Sequence, residues 1–450
     1  MVPNRKKING NVVPKLMFAF ALIFFSVLYG MVAANNRLFP YYTLIEAGAA
    51  ITRLMPENKS LLWYFIKTEQ DQAVTVQDEE MMAPGLTKVV AVEGDHSLSV
   101  KVVNAQGDPA QRWRIEWNNV WPEAPDYLDW AEVPKARPGT HIHGAEIADN
   151  GDLIFNFEHL GLVRMDVCGN VVWKLRYRTH HSVFIDEQSN IWVSAQINHK
   201  NAIEKLPLYR PRFIEPMILK VSPQGEILME KSVFDLLIEN NLEGALYVQA
   251  SDNQFPISGG DTLHLNDVEV FPASLQEGFF KAGDIMISLR NANTIAVFDR
   301  HWKLKYSVAN EFVRQHDPDF IDGNTISIFD NHNMSTPGHE PVPASRILLK
   351  TVPDGALNVA YSGTQKQPFF TNIMGKHQWL ENGNLLISES RFGRALEVTS
   401  AGTKVWELYN IVEPGWLGII EEVERLPASY DAEFFAQARQ RCEPHQQAVN

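Results

Sequence analysis

The 450-residue chain is 45% hydrophobic and 21% charged, with two cysteines and a formal net charge of −14 at pH 7. That acidic balance argues against a nucleic-acid scaffold, because phosphate binding needs a clustered positive surface. Two cysteines exclude a disulfide framework and leave two readings open: one bridge from Cys168 to Cys442 in an oxidising compartment, or two unpaired thiols.

From Leu16 to Ala34 the run LMFAFALIFFSVLYGMVAA carries no charge and follows Arg5, Lys6, Lys7 and Lys15. About 20 apolar residues cross a bilayer, and a basic flank stays cytoplasmic. The expectation is one N-terminal pass through an inner membrane, with the remaining chain on the periplasmic side. Val32-Ala33-Ala34 would also suit a signal peptidase, but the run exceeds the apolar core of about 7–15 residues usual for a signal peptide, which favours an uncleaved anchor. Residues 38–66 mix helical spacing with Pro56 and predict a short amphipathic helix and an extended piece, with Trp63 and Tyr64 either anchoring at the membrane interface or, the favoured reading, packing against the rest of the fold.

Five stretches then share one pattern: a histidine, an apolar run, a Gly/Asn/Asp turn and a short alternating strand ending on a polar residue. They begin at His143 (HGAEIADNGDLIFNFE), His181 (HSVFIDEQSNIWVSAQ), His264 (HLNDVEVFP, with GDIMISLR), His316 (HDPDFIDGNTISIFD) and His377 (HQWLENGNLLISES). Their spacings of 38, 83, 52 and 61 residues suit a four-stranded propeller blade with insertions. Seven residues after each turn Gly or Ser stand Glu158, Gln196, Arg290, Asp330 and Ser390, a polar column facing the histidines. Period-2 strands put Leu153, Phe155 and Phe157, or Ile285, Ile287 and Leu289, on the packed face. Turns near Cys168, Pro223 and Ala401 lead into strands where Trp173 or Trp406 is placed between neighbouring blades. The insertion between Lys200 and Gly260 reads as a rim loop over a pocket or as a blade without a histidine. The tail from Pro414 predicts a helix covering a face or seam.

A histidine at a strand start is most often a hydrogen-bonded turn residue, so some of the five are expected to be structural. His377, one residue out of register, and His143 are the first candidates for that. The central group is stronger: His264 is followed by Asn266 and Asp267, Arg290 closes the same blade's strand, and His316 sits beside Asp317. If strand starts line one mouth, His181, His264, His316 and Arg290 converge there. Imidazoles with one guanidinium suit binding and transfer of a small oxyanion. No CxxC, HExxH, EF-hand or Walker-type spacing is present, so no metal and no cofactor are expected. A singly charged group such as sulfuryl can be managed by one arginine and several imidazoles.

The segments HLNDVEVFP with ISLRN, QHDPDF with GNTISIFDN, and GNLLISESRFGRALEVTSAGTKVWELYN resemble the bacterial arylsulfotransferase family, whose members do not use the nucleotide donor. The resemblance spans approximately Thr140 to Asn410. It implies an all-β, six-bladed β-propeller with its active site in the central mouth, here with a transmembrane or signal-anchor helix and short helical flanking segments. It implies His316 as a nucleophile that takes a sulfuryl group from a phenolic sulfate and passes it to another phenol. It places His264 and Arg290 on the sulfate oxygens and developing phenolate charge, and His181, with His180 as an ambiguity of one residue, as the earlier-blade histidine. Asn266, His180, His143 and His377 complete the expected substrate-binding set. The expected divisions are 1–36 (anchor or signal), 37–80 (preface), 81–412 (propeller) and 413–450 (tail with helix). The expected partners are an aryl sulfate, a phenol and, through the N-terminal helix, the membrane. The competing reading is a membrane-anchored, non-catalytic propeller that binds an anionic ligand or a partner protein.

Overall fold

The computed structural model describes residues 12–36, 38–40, 43–44, 47, 64–129, 132–250, 255–334 and 344–442. Two compact units are present, residues 1–58 and 59–450. The first holds a helix, Val12–Asn36. Within it, Val13–Ala34 is long and apolar enough to cross a bilayer, with mean hydropathy 2.3. Large apolar side chains such as Leu16, Phe18, Phe20 and Phe25 are exposed on it. Most of the amphipathic helix expected over 38–66 lies outside the described residues, and the chain resumes with a short strand, Phe65–Lys67.

The second unit is built from six sheets of four or five strands, antiparallel but for the parallel strand Ser258–Gly260 in one of them, and one small three-stranded sheet, among the described residues. Sheet 2 is consecutive in sequence: Ile142–Ile147, Leu153–Phe157, Gly161–Met165 and Val171–Leu175. Sheet 3 begins with Arg178–Ile185, sheet 4 with Leu265–Val270, sheet 5 with His316–Asp322 and sheet 6 with His377–Trp379. Sheet 1 instead takes its innermost strand, Ile420–Arg425, from the C-terminal side and pairs it with Thr87–Val92. Sheet 6 takes an outer strand, Val74–Gln77, from the N-terminal side. The sheet assembly therefore crosses both expected boundaries, at 80 and at 412, because the two ends of the chain supply edge strands that close the ring.

Neighbouring inner strands pack on one another in order from sheet 1 to sheet 5, and that of sheet 6 packs back on that of sheet 1. Sheets 5 and 6 are joined where the His377 N–H donates to Asp317 Oδ2 at 2.6 Å. The result is a propeller-like fold around one axis. Its second strands are buried on both faces, and alternation divides them between two cores. Leu153, Phe155 and Phe157 pack with Trp113 and Trp117 toward sheet 1, whereas Ile154 joins Val193 and Leu219 of sheet 3. Ile285, Ile287 and Leu289 face sheet 3's side and Met286 faces sheet 5. Full burial of each such side chain contributes roughly 1.5–3 kcal/mol.

The outer edges are clasped by tryptophans. Trp173 Nε1–H donates to Pro223 O at 2.9 Å and Trp406 Nε1–H to Ala105 O at 2.9 Å, each in the adjacent sheet, as does Trp113 to Asp166 O at 2.8 Å. The tail forms a helix, Ala432–Arg439, whose buried Phe435 meets Trp113 on the seam between sheets 1 and 2. Cys168 and Cys442 form a disulfide on that seam, Cα–Cα 5.5 Å. The insertion at 200–260 is not an extra blade. It contains sheet 3's third and fourth strands, Tyr209–Val221 and Ile227–Ser232, followed by a helix, Val233–Glu239.

Candidate active site

The site is made by a defect repeated in consecutive inner strands. In sheet 2, Ile142 faces Phe157 but Gly144 faces Asn156, so His143 is an extra residue. Equivalent shifts fall between His180 and Val183, Leu265 and Asp267, His316 and Asp319, and Ile420 and Glu422. A bulge re-aims a side chain that a regular ladder would keep on a sheet face. The surplus residues, His143, His181 with Ser182, Asn266, Asp317 and Glu421, all line one axial pocket, joined there by His316 and Lys376. His181, His264 and Asp317 have φ of 56°, 55° and 48°, the left-handed backbone that such irregularities use. The close approach also requires Gly144, where a Cβ would lie 2.2 Å from His181 O.

His316 is 5% exposed. Its Nδ1 lies 2.6 Å from Asn331 Oδ1 and 3.1 Å from Arg314 O. Asn331 is itself oriented, because its Nδ2 donates to Thr371 O at 3.0 Å and Met374 O at 2.7 Å. Two acceptors therefore face Nδ1, which assigns the proton there and leaves a lone pair on Nε2. That Nε2 is buried and has no hydrogen-bond partner. Burial, aided by the nearby Arg290 charge, holds the His316 pKa well below 6.5, so the ring is neutral at neutral pH.

A chain of imidazoles stands beside it. His264 Nδ1 bonds Asp261 Oδ2, and His264 Nε2 lies 3.2 Å from His181 Nε2. His181 Nδ1 lies 2.8 Å from His180 Nδ1. With the Asp261 carboxylate as acceptor at one end, neutral rings pass one proton direction along the series: His180 donates to His181, His181 to His264 and His264 to Asp261. Burial lowers the pKa of all three rings, and neighbouring imidazoles add to this for His180 and His181. Against the upward push of burial, the His264 hydrogen bond holds Asp261 below its usual range. Ring centroids of His143, His264 and His316 lie 3.9, 4.8 and 6.3 Å from that of His181.

Arg290 follows the second strand of sheet 4, and its backbone N–H donates to His264 O at 3.0 Å. Its Nε–H donates to Asn291 Oδ1 at 3.3 Å. The guanidinium forms no ion pair among the described residues, and burial, with Arg314 close by, lowers its pKa to about 10. It remains a cation with donors to spare. Asn266 Nδ2 donates to Gln315 O at 2.8 Å, and its buried Oδ1 has no partner.

Sequence reasoning placed His181, His264, His316, Asn266, His180 and Arg290 in one neighbourhood, and the fold brings them together. His143, a first candidate for a structural role that also stood in the expected substrate-binding set, lies against His181 within it, the two rings tilted by 34°. His377 is not brought in. It pairs with Ile387, and its Nδ1 meets Asp317 Oδ2 at 3.1 Å. It lines a larger cavity of about 290 Å³ further along the axis, with Asp267, Glu269, Asp319, Lys376 and Glu422. Glu158, Asp261 and Asn331 were missed. Glu158 stood in the polar column beside Arg290, and that shared position was the available signal.

Fold and site together define a propeller-like protein whose axial pocket is lined by bulge-borne imidazoles next to one half-buried arginine. Residues 144–411 match the family described as arylsulfotransferase (ASST), and the chain belongs to that family. No curated protein matches it. Among solved structures it is similar to a protein of unknown function from Bacteroides caccae (13% identity, 76% of this chain and 98% of that chain, TM-score 0.44). It is also similar to a streptogramin B lyase (11%, 78% and 88%, TM-score 0.39) and to the WD40 β-propeller domain of Doa1 (8%, 81% and 88%, TM-score 0.38).

Proposed function

We propose that the protein transfers a sulfuryl group from a phenolic sulfate ester to a phenolic acceptor through a covalent sulfo-His316 intermediate. The carrying observation is the His316 ring, fixed at Nδ1 by two carbonyl oxygens and presenting a buried, unpartnered Nε2. The Nε2 lone pair forms a bond to sulfur while the sulfur–aryl oxygen bond breaks, and phenolate leaves. Arg290 offsets charge on the sulfuryl oxygens and the departing oxygen, and the His181–His264 pair, its N–H groups committed along the chain, lies beside them. The acceptor phenol gives its proton to the imidazole chain, its oxygen takes sulfur from Nε2, and the first phenolate recovers a proton, so the exchange is neutral overall. Asn266, His180 and His143 border the group being moved.

The propeller is assigned to the periplasmic side of an inner membrane, with the N-terminal helix as its anchor. The basic residues before that helix and the Cys168–Cys442 disulfide, which fits an oxidising compartment, support this.

Incubation of the purified full chain with 4-nitrophenyl sulfate and phenol should release nitrophenolate and form phenyl sulfate, and His316→Asn should abolish both. Equal turnover by that variant removes His316 from the nucleophile role. Trapping sulfo-histidine with labelled donor would exclude the purely ligand-binding alternative.

A further inference from the structure

Of four groups on sheets 1 and 2 next to the imidazole chain, His141, Glu158 and Glu421 have no part in the transfer just described, and His143 only borders it. His141 and His143 flank Ile142 at the start of the inner strand of sheet 2, and Glu158 follows that sheet's second strand. His141 Nε2 contacts Glu158 Oε2, and His143 Nδ1 lies 3.5 Å from Glu158 Oε1. One ligand-type atom from each of the three lies within 4.8 Å of the others. Behind them, His141 Nδ1 lies 3.2 Å from Glu421 Oε1.

Burial makes this arrangement costly unless it is satisfied. His141, His143 and Glu421 are 6%, 9% and 3% exposed. His143 Nδ1 has no hydrogen-bond partner, and the Glu421 carboxylate faces only His141 Nδ1. Protons on His141 answer Glu158 and the facing oxygen of Glu421, but His143 Nδ1, 3.5 Å from Glu158 Oε1, makes no hydrogen bond in the observed geometry. A divalent cation answers all three inner groups at once, since neutral imidazole and carboxylate are its ordinary ligands. The carboxylate behind a ligating histidine is the usual way such a ring is oriented and its basicity raised.

We propose that His141 Nε2, His143 Nδ1 and the Glu158 carboxylate form a binding site for a divalent transition-metal ion of the zinc class, with Glu421 accepting the His141 Nδ1 proton. Two imidazoles and one carboxylate form a donor set that leaves a fourth tetrahedral position for water or a small anion. The site sits where His143 lies against His181, so a bound cation would add positive charge at the border of the axial pocket. The inference does not depend on His316 acting as a nucleophile, and its test is independent of turnover.

The full chain, purified in detergent without a polyhistidine tag and stripped with chelator, is titrated with Zn²⁺ and with Co²⁺. The expected result is one equivalent bound per chain, with tetrahedral Co²⁺ absorption bands. His141→Ala and Glu158→Gln should each remove the bands, Glu421→Gln should weaken affinity by about 10–100-fold, and His199→Ala, at the end of the second strand of sheet 3, should change nothing. A folded wild-type chain that takes up neither ion overturns the proposal. Uptake that survives both His141→Ala and Glu158→Gln is adventitious and also overturns it. Should His141→Ala fail to fold, the nearly isosteric Glu158→Gln carries the comparison.

Discussion

Where the inner strands are bulged, the axis is lined by imidazoles, and burial holds those of His181 and His316 well below their usual range. Further along, where the same strands run toward the other mouth, it is lined by carboxylates, of which burial pushes Glu146, Asp267, Glu269 and Asp319 toward the protonated form. Glu146 is pushed up to about 8 by burial and by Glu424, and Asp267 to about 7 by burial and by Asp317. Glu269 and Asp319 are also raised well above their ordinary values by burial first and by neighbouring acids second. Lys88 and Lys376 are the cations that partly compensate this end, Lys88 within 2.7 Å of Glu422 and Lys376 within 3.6 Å of Asp317 and Glu422. One cost, desolvation, thus yields lone pairs at one height and stored protons at the other. The first suits nucleophilic chemistry, while the second costs stability in alkali.

The largest break in that contrast after loss of His316 is expected at Arg290. Arg290→Ala should lower nitrophenolate release by roughly 100–1,000-fold, the range for removing one donor to a developing oxyanion. Unchanged turnover would show that the guanidinium does not face the reacting group. Asn331→Asp should act more mildly, by about 10–100-fold in kcat, taken as comparable to loss of a partner that orients a functional histidine. A carboxylate at Nδ1 also favours the imidazolium, so the acid limb of the pH–rate profile should move to higher pH. A merely structural role for Asn331 would leave that limb in place.

On stability, Cys168→Ser with Cys442→Ser should cost about 2–5 kcal/mol, read as a lower Tm. No change in Tm would mean that the helix on the seam holds without its bridge. The smallest effect separates the two ends of the axis by pH. Folded His180, His181 and His316 have pKa values below 6.5, so the unfolded chain binds more protons under acid, and stability falls as pH drops below about 6.5. Glu146 and Asp267 are shifted upward, so their contribution is complete below their ordinary values and is lost as pH rises to about 7–8. Glu146→Gln, which imitates the protonated acid, should flatten the alkaline side of a Tm–pH curve and leave the acid side unchanged. An altered acid side instead would place the titration elsewhere.

Much of this was legible in the residues. Period-2 alternation and a repeated strand-turn-strand unit depend on local chemistry, so Leu153, Phe155 and Phe157, or Ile285 and Ile287, could be assigned to packed faces without coordinates. Arg290 stood out for a related reason, since an isolated arginine ending an apolar strand must reach something polar. His377 shows where such reading stops. Counting from the turn glycines, it is one residue out of register with His316, but the bulge between His316 and Asp319 adds a second. His377 pairs four residues after Gly383, whereas His316 pairs six after Gly323. Two residues of strand are about 7 Å, enough to carry an imidazole from the bulged ring into the carboxylate cavity. His143 shows the converse, because a surplus residue in its strand turns it inward.

By itself, then, the sequence determined the antiparallel strand unit, the acidic exterior, the apolar N-terminal run and the family. These follow from side-chain periodicity and composition, which act within a few residues. The tertiary structure alone decided which imidazoles meet, which acid faces His141, that Cys168 reaches Cys442, and that residues 74–77 and 420–425 close the ring. Those outcomes depend on bulges and on left-handed backbone at His181, His264 and Asp317. A one-residue slip there exchanges the two faces of a strand, and packing against neighbouring sheets fixes which face wins.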